Sequence, residues 1–161
     1  MAIDYSRLTQ DASAAEILEA TSKLKSKKEK IELLQRFGNR ADFMYILRGA
    51  YAKNIEWLVP DGPMPEGVVP SAAVSIDTAE DRLIRAYRNF QYLVKGGPEV
   101  KQSKREEIYL NMYRSLYNDE AKLLHSIINK KLPYKGITKA IVAEAFPTVW
   151  PKETKESKAS S

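Results

Sequence analysis

The chain has 161 residues, 43% hydrophobic and 29% charged, the balance of a globular protein rather than a disordered one. Lys and Arg number 26 against 21 Asp and Glu, a formal charge of +5 that permits an anionic partner without requiring one. With no cysteine and one histidine, His125, the sequence excludes disulfides, thiolate metal sites, a cysteine nucleophile and any chemistry that needs two imidazoles. No apolar run approaches the roughly 18–20 residues of a membrane span, and no signal-peptide core opens the chain. The expectation is a soluble cytoplasmic protein with no membrane partner.

Residues 1–12 are polar and aperiodic and are expected to form a flexible arm ahead of one helical domain over 13–151. From Ala14 onward, Ile17, Leu18 and Leu24 share a helical face with Thr21 between them. Ser26 and Glu29 have the spacing of a capping box, in which the hydroxyl takes the third amide and the carboxylate reaches back. Ile31, Leu34 and Phe37 form that second helix's stripe, and Gly38-Asn39 supplies its stop. Phe43, Ile46, Leu47, Ala50 and Tyr51 place a third helix from about Arg40.

Between Val59 and Ser75 the character changes. Pro60, Pro63, Pro65 and Pro70 leave too few backbone donors for a helix, so a loose surface loop is expected, with weak strand pairing over 67–76 at most. Asp77 with Glu80 offers the next helix start, and Leu83, Tyr87, Phe90 and Val94 repeat at helical spacing until Gly96-Gly97-Pro98. Ser103 with Glu106 is a further capping box, followed by Ile108, Tyr109, Met112, Tyr113 and Leu116. Leu123, Leu124, Ile127 and Ile128 mark another helix, and Ile141, Val142, Ala145 and Phe146 the last. Residues 152–161 have the Lys/Glu/Ser composition of a disordered tail. The predicted fold class is all-α: a compact bundle of about seven short helices in two groups, with the Pro-rich loop near 59–75 between them.

Catalytic signatures are missing from the sequence. Glu106-Glu107 and Asp119-Glu120 fall in first turns of helices, where acidic residues complement the helix dipole. His125 beside Leu124 has no second His or Cys to complete a metal set, so a structural role is expected. Gly96-Gly97 lacks the flanking pattern of a phosphate-binding loop, and no G-x-S-x-G elbow occurs. The expectation is a protein without catalytic residues, metal or cofactor.

The positive charge is local. Lys23, Lys25, Lys27, Lys28 and Lys30 crowd the first helix junction, opposed there only by Glu29. Lys130, Lys131, Lys135 and Lys139 form a second cluster around Tyr134, and no acidic residue lies between Ile127 and Ala143. That segment reads as a helix, a turn containing Gly136, and a new helix capped by Thr138. Lysines supply charge for phosphates, glycine allows close approach, and amides at a helix start can take an anion. Such contacts hold a duplex backbone without reading its bases. The same pattern also suits a solvated turn whose lysines only keep the surface wet. Tyr109, Tyr113 and Tyr117 form an i, i+4, i+8 row, read as half-buried core in preference to a base-stacking platform.

The run from Glu16 to Gln35 and the run from Ile128 to Pro147 together resemble the N-terminal DNA-binding domain of ATP-dependent DNA ligases. The first is similar to that domain's opening helices with their Lys-containing turn. Phe43–Leu58 is similar to its third helix, and Ile128–Pro147 resembles the turn and helix with which ligases grip the backbone in the minor groove. The resemblance implies that Lys130 stands for the motif arginine, Leu132 for its buried leucine, Gly136 for its glycine and Thr138 for its hydroxyl cap. Lys131 stands where the motif is acidic, and one residue is inserted before Gly136. No Lys-x-Asp-Gly adenylation motif occurs, so ligation itself is not implied. The chain also resembles a family of small tailed-phage proteins in which L-K-x-K-K-E-K and K-K-L-P-Y-K-G-[IL]-T-K recur, which implies an origin in an infected bacterial host rather than an activity.

Together these readings predict a non-enzymatic protein that binds double-stranded DNA with weak sequence selectivity. Its expected contacts are Lys130, Lys131, Tyr134, Lys135, Gly136, Thr138 and Lys139, joined by Lys23, Lys25, Lys27 and Lys28. The alternative is an interaction module for a host or phage replication or transcription protein, with Trp57, the proline loop and the tyrosine row as its surface.

Overall fold

The computed structural model describes residues 12–52, 55–60, 62–73, 75 and 78–147. The predicted arm up to residue 11, Asp77 as a helix start and the predicted tail over 152–161 lie outside the described residues. Seven α-helices follow in order: α1 Ala14–Ser22, α2 Lys27–Arg36, α3 Ala41–Tyr51, α4 Leu83–Ala86, α5 Gln102–Ser115, α6 Asn118–Ile128 and α7 Lys139–Ala145, with a 3₁₀ segment Tyr87–Tyr92 continuing α4. The fold is all-α. Two isolated bridges, Trp57 with Val94 and Asp81 with Leu116, are the β-type pairings among the described residues. No helix among them is long and apolar enough to cross a membrane.

Helices before and after the proline loop pack on one another directly: α1 on α6, α2 on α7, and α3 on α4 and α6, while α1 also packs on α2. The apolar stripes read from the sequence line this interface, with Ile17, Leu18, Leu34, Phe37, Phe43, Ile46 and Leu47 all fully buried. They join Leu83, Leu116, Leu123, Leu124 and Val142 in one continuous core.

Three helix starts follow from short polar side chains. Ser13 accepts from the Ala15 amide at 3.2 Å, and Thr138 from the Ile141 amide at 3.2 Å. Ser26 accepts from the Glu29 amide at 3.0 Å and donates to the Glu29 carboxylate at 3.1 Å, so the acid returns to the hydroxyl. Each such cap is worth about 1 kcal/mol. Ser103 departs from expectation. Helix α5 begins one residue before it, with Lys101 as a cap residue that makes no side-chain bond. Gln102 instead donates to the Leu58 carbonyl at 2.8 Å and to Glu106 at 2.9 Å.

The segment from Leu83 departs too. Its α-helix lasts one turn and tightens to 3₁₀ from Tyr87. Three residues per turn bring Phe90 and Leu93 onto one side, where both are buried. Val94 is left to the bridge with Trp57.

Glu120 starts α4 from a distance. Fully buried, it accepts from the Leu83 amide at 2.9 Å through one carboxylate oxygen and from the Ser13 hydroxyl at 2.8 Å through the other. One side chain of α6 therefore ties down the starts of α1 and α4. Beside it, buried Asp42 takes both forks of Arg40, at 2.9 and 2.7 Å, while Arg40 also donates to the Ala12 carbonyl at 2.7 Å. Burial raises the Glu120 carboxyl above the ordinary range, against the lowering effects of the Leu83 amide, the Ser13 hydroxyl and the Arg82 charge. The helix-dipole role expected of this residue understates what it holds.

The proline loop is pinned rather than loose. Asn129 accepts from the Gly62 amide at 2.7 Å, the Ser71 amide donates to Leu116 O at 2.9 Å, and Val59 is buried. Two of its side chains, Met64 and Val68, pack against the core.

Candidate nucleic-acid interface

Each basic cluster sits on a turn between two helices, and the fold presses the two turns together. Helix α2 packs against α7. At one end Gln35 donates to the Ala145 carbonyl at 2.9 Å; at the other Lys30 Nζ donates to the Gly136 carbonyl at 2.9 Å. Lys27 bridges to Glu144 at 2.8 Å across the same seam. Buried Leu24 anchors the first turn and buried Ile137 the second. Two basic turns more than a hundred residues apart in the chain therefore meet at this seam.

Gly136 has φ +88°, a conformation few other residues adopt without strain. A Cβ there would lie 2.7 Å from Lys30 Nζ and 3.6 Å from the Ser22 carbonyl. The close approach that glycine permits is thus taken by the chain's own lysine. Thr138 caps α7, as its spacing suggested, and so occupies one of the amides at that helix start.

The predicted contact residues divide into two sets. Lys25, Lys28, Lys131, Lys135 and Lys139 form no ion pair among the described residues, and all but the half-buried Lys139 are exposed. Lys23 pairs with Glu19 at 3.6 Å and Lys27 with Glu144, both exposed contacts that solvent screens.

Lys130 is different. It ends α6 in a left-handed conformation, φ +61°, with its amide donating to Ile127 O at 2.9 Å and the Lys131 amide donating to Ser126 O at 3.1 Å. This is the Schellman arrangement with lysine where glycine is usual. Its ammonium donates to the carbonyls of Ala52 at 2.8 Å and Ile55 at 3.1 Å, just past the C-terminus of α3. A cation there complements the negative end of α3 and ties the Lys130 turn to the segment that follows that helix.

Tyr134 is half-buried. It packs against the core and lines a small cleft with Glu19 and Asp119. Burial, with those carboxylates and Glu120 nearby, pushes its phenol well above the ordinary value. Its ring is therefore a packing element that stays protonated.

Of the surface named for a protein contact, part is drawn inward, while the proline loop keeps Val69 63% exposed. Tyr109 and Tyr113 are buried, and Trp57 donates its indole N–H to the Gly49 carbonyl at 2.8 Å. Tyr109 shares a 2.8 Å hydrogen bond with His125 Nδ1, and Tyr113 meets the imidazole edge-on at 6.2 Å. Among the described residues no cluster of His, Asp or Glu is placed to hold a metal ion.

Sequence reasoning missed how the two clusters join. The seam depends on Lys30 and Gly136, and on Gln35 with Ala145, and no local pattern announces pairs so far apart. A partial signal was present: both clusters flank turns between short amphipathic helices, the elements that pack most closely.

No curated protein and no solved structure matches the chain, so neither supports the likeness to ligase DNA-binding domains. The model of a family of unknown function, DUF6433, matches residues 17–134, a stretch that takes in most of α1, helices α2 to α6, the first lysine cluster and the start of the second. The chain belongs to that family.

Proposed function

We propose that this is a non-enzymatic double-stranded DNA-binding protein of tailed-phage origin, which grips the phosphate backbone with the lysine face formed where α2 meets α7. The observation that carries this reading is the seam itself: Lys30 on Gly136 brings both basic turns to one surface. Lys25, Lys28, Lys131, Lys135 and Lys139 are the phosphate contacts, with Lys23 and Lys27 at the edge. Lys130 serves by holding the turn in shape through Ala52 and Ile55. Lysine contacts of this kind are spaced for charge, so binding is electrostatic and only weakly selective for sequence.

The test is a fluorescence-anisotropy titration with labelled linear duplex at 50 and 200 mM salt. If about six phosphates are neutralised, affinity falls roughly 10³-fold between the two salts. Joint replacement of Lys131, Lys135 and Lys139 by Glu is expected to abolish binding while the helical circular dichroism stays the same. Unchanged affinity in that folded variant refutes the assignment.

A further inference from the structure

Between α3 and the α4–3₁₀ segment lies an open cleft of about 550 Å³ whose walls include Tyr45, Arg48, Trp57, Tyr87, Arg88 and Phe90. Its walls are set in advance. The Trp57 indole is held by its hydrogen bond to the Gly49 carbonyl and meets Phe90 edge-on, ring centroids 5.5 Å apart. A Cβ on Gly49 would fall 2.5 Å from Trp57 Cζ2, so the glycine is what lets the indole lie against α3. Tyr45 and Tyr87 stack at 5.5 Å with 25° between their planes, and Tyr45 remains 48% exposed.

The charge at the cleft is one-sided. Two arginines line it, and among the described residues none of its lining is a carboxylate. Arg88 is exposed and makes no ion pair among the described residues. Fixed aromatic walls beside a guanidinium complement a flat ring that carries negative charge. Aromatic side chains stack on any base, and guanidinium pairs with phosphate through two parallel hydrogen bonds.

We infer that this cleft binds a nucleotide, its base against the aromatic walls of Tyr45, Tyr87 and Trp57 and its phosphate on Arg88. None of the lysines of the α2–α7 face takes part, so duplex binding there stands or falls separately. A base with its phosphate can come from a free mononucleotide or from an unpaired position in a strand.

Trp150→Phe in the full chain leaves Trp57 as the sole indole, whose fluorescence then reports on the cleft. The titrants are dAMP, single-stranded oligo(dT), inorganic phosphate and an acidic peptide containing phenylalanine. Saturable quenching by dAMP or oligo(dT) is expected, weakened about tenfold by Tyr45→Ala and by Arg88→Glu. Both substitutions are at exposed positions, and duplex anisotropy is expected to be unchanged in the Tyr45 variant. Quenching by both nucleic ligands at similar affinity assigns the cleft to free nucleotide, and quenching by oligo(dT) alone assigns it to a strand. The inference is overturned if neither ligand quenches, if only phosphate or the peptide does, or if both variants bind as tightly as the parent.

Discussion

Two aromatic clusters in this molecule are built from similar residues and end in opposite states. In one, Tyr109 and Tyr113 close around His125, their hydroxyl and edge contacts made within the protein. The proline loop finishes the enclosure: Pro60, Pro63, Met64 and Pro65 line the small cavity left beside Tyr109 and His125. In the other, Tyr45 and Tyr87 stack beside Trp57 and Phe90, and the described residues provide no equivalent cover. What separates them is the covering segment rather than the aromatic residues. An aromatic row becomes core when a loop is tied over it, and Asn129 ties this one through the Gly62 amide.

The comparison is broken most forcefully from the closed side. Tyr113→Ala removes a buried ring from between α5 and α6 and is expected to cost about 3–5 kcal/mol of stability. Urea denaturation measures it, and a loss below 1 kcal/mol would mean that the cluster is not closed. Gly49→Ala comes next, on the open side. The new methyl must displace the Trp57 indole, an overpacking worth about 1–3 kcal/mol, and is expected to red-shift Trp57 emission as the ring leaves its seat. If emission and denaturation midpoint both hold, the wall of the open cluster is not preset. Tyr109→Phe keeps the ring and deletes the hydroxyl, leaving His125 Nδ1 without that partner. About 1 kcal/mol is expected, with duplex and nucleotide binding unaltered, which separates structural tyrosines from exposed ones.

Helical periodicity made the closed cluster legible, because Tyr109 and Tyr113 fall in line with Met112 and Leu116, all of them buried. It passed over the open one. Tyr45 lies between Phe43 and Ile46, whose buried stripe drew the reading of α3, and its stacking partner is 42 positions further along, in a segment that looked like plain α-helix. The 3₁₀ tightening at Tyr87 was hidden because Leu83, Tyr87, Phe90 and Val94 satisfy an α spacing equally well. Caps were readable where the hydroxyl acts on its own turn, as with Ser26 and Thr138. They failed at α4, where the Leu83 amide is met by a carboxylate 37 residues on. The lysine clusters were each visible, and their meeting was not, since one lysine ammonium on one distant carbonyl decides it.

The smallest effect expected comes from the carboxylate that joins the two clusters. Glu120 opens α6, the helix that carries His125, and caps α4, whose continuation carries Phe90 and bears Tyr87. Facing it are the Ser13 hydroxyl, the Leu83 amide, Arg82 and Asp42, and burial dominates, raising its pKa. In the unfolded chain the group ionises in the ordinary carboxylate range; in the folded chain it keeps its proton to higher pH. Between those two points the folded state binds more protons, so this group's contribution to stability is complete at low pH and is lost as pH rises through the folded value. Glu120→Gln retains an acceptor for the Leu83 amide and a donor toward Ser13 but has nothing to ionise. Its stability at neutral pH is expected within about 1 kcal/mol of the parent, because a neutral isostere in place of a buried charge is close to even. Urea midpoints from pH 4 to pH 8 should then show the parent losing stability relative to the variant as pH rises. Parallel profiles would mean that Glu120 ionises as it does in the unfolded chain, and that the joint beneath the open cluster is more hydrated than its burial implies.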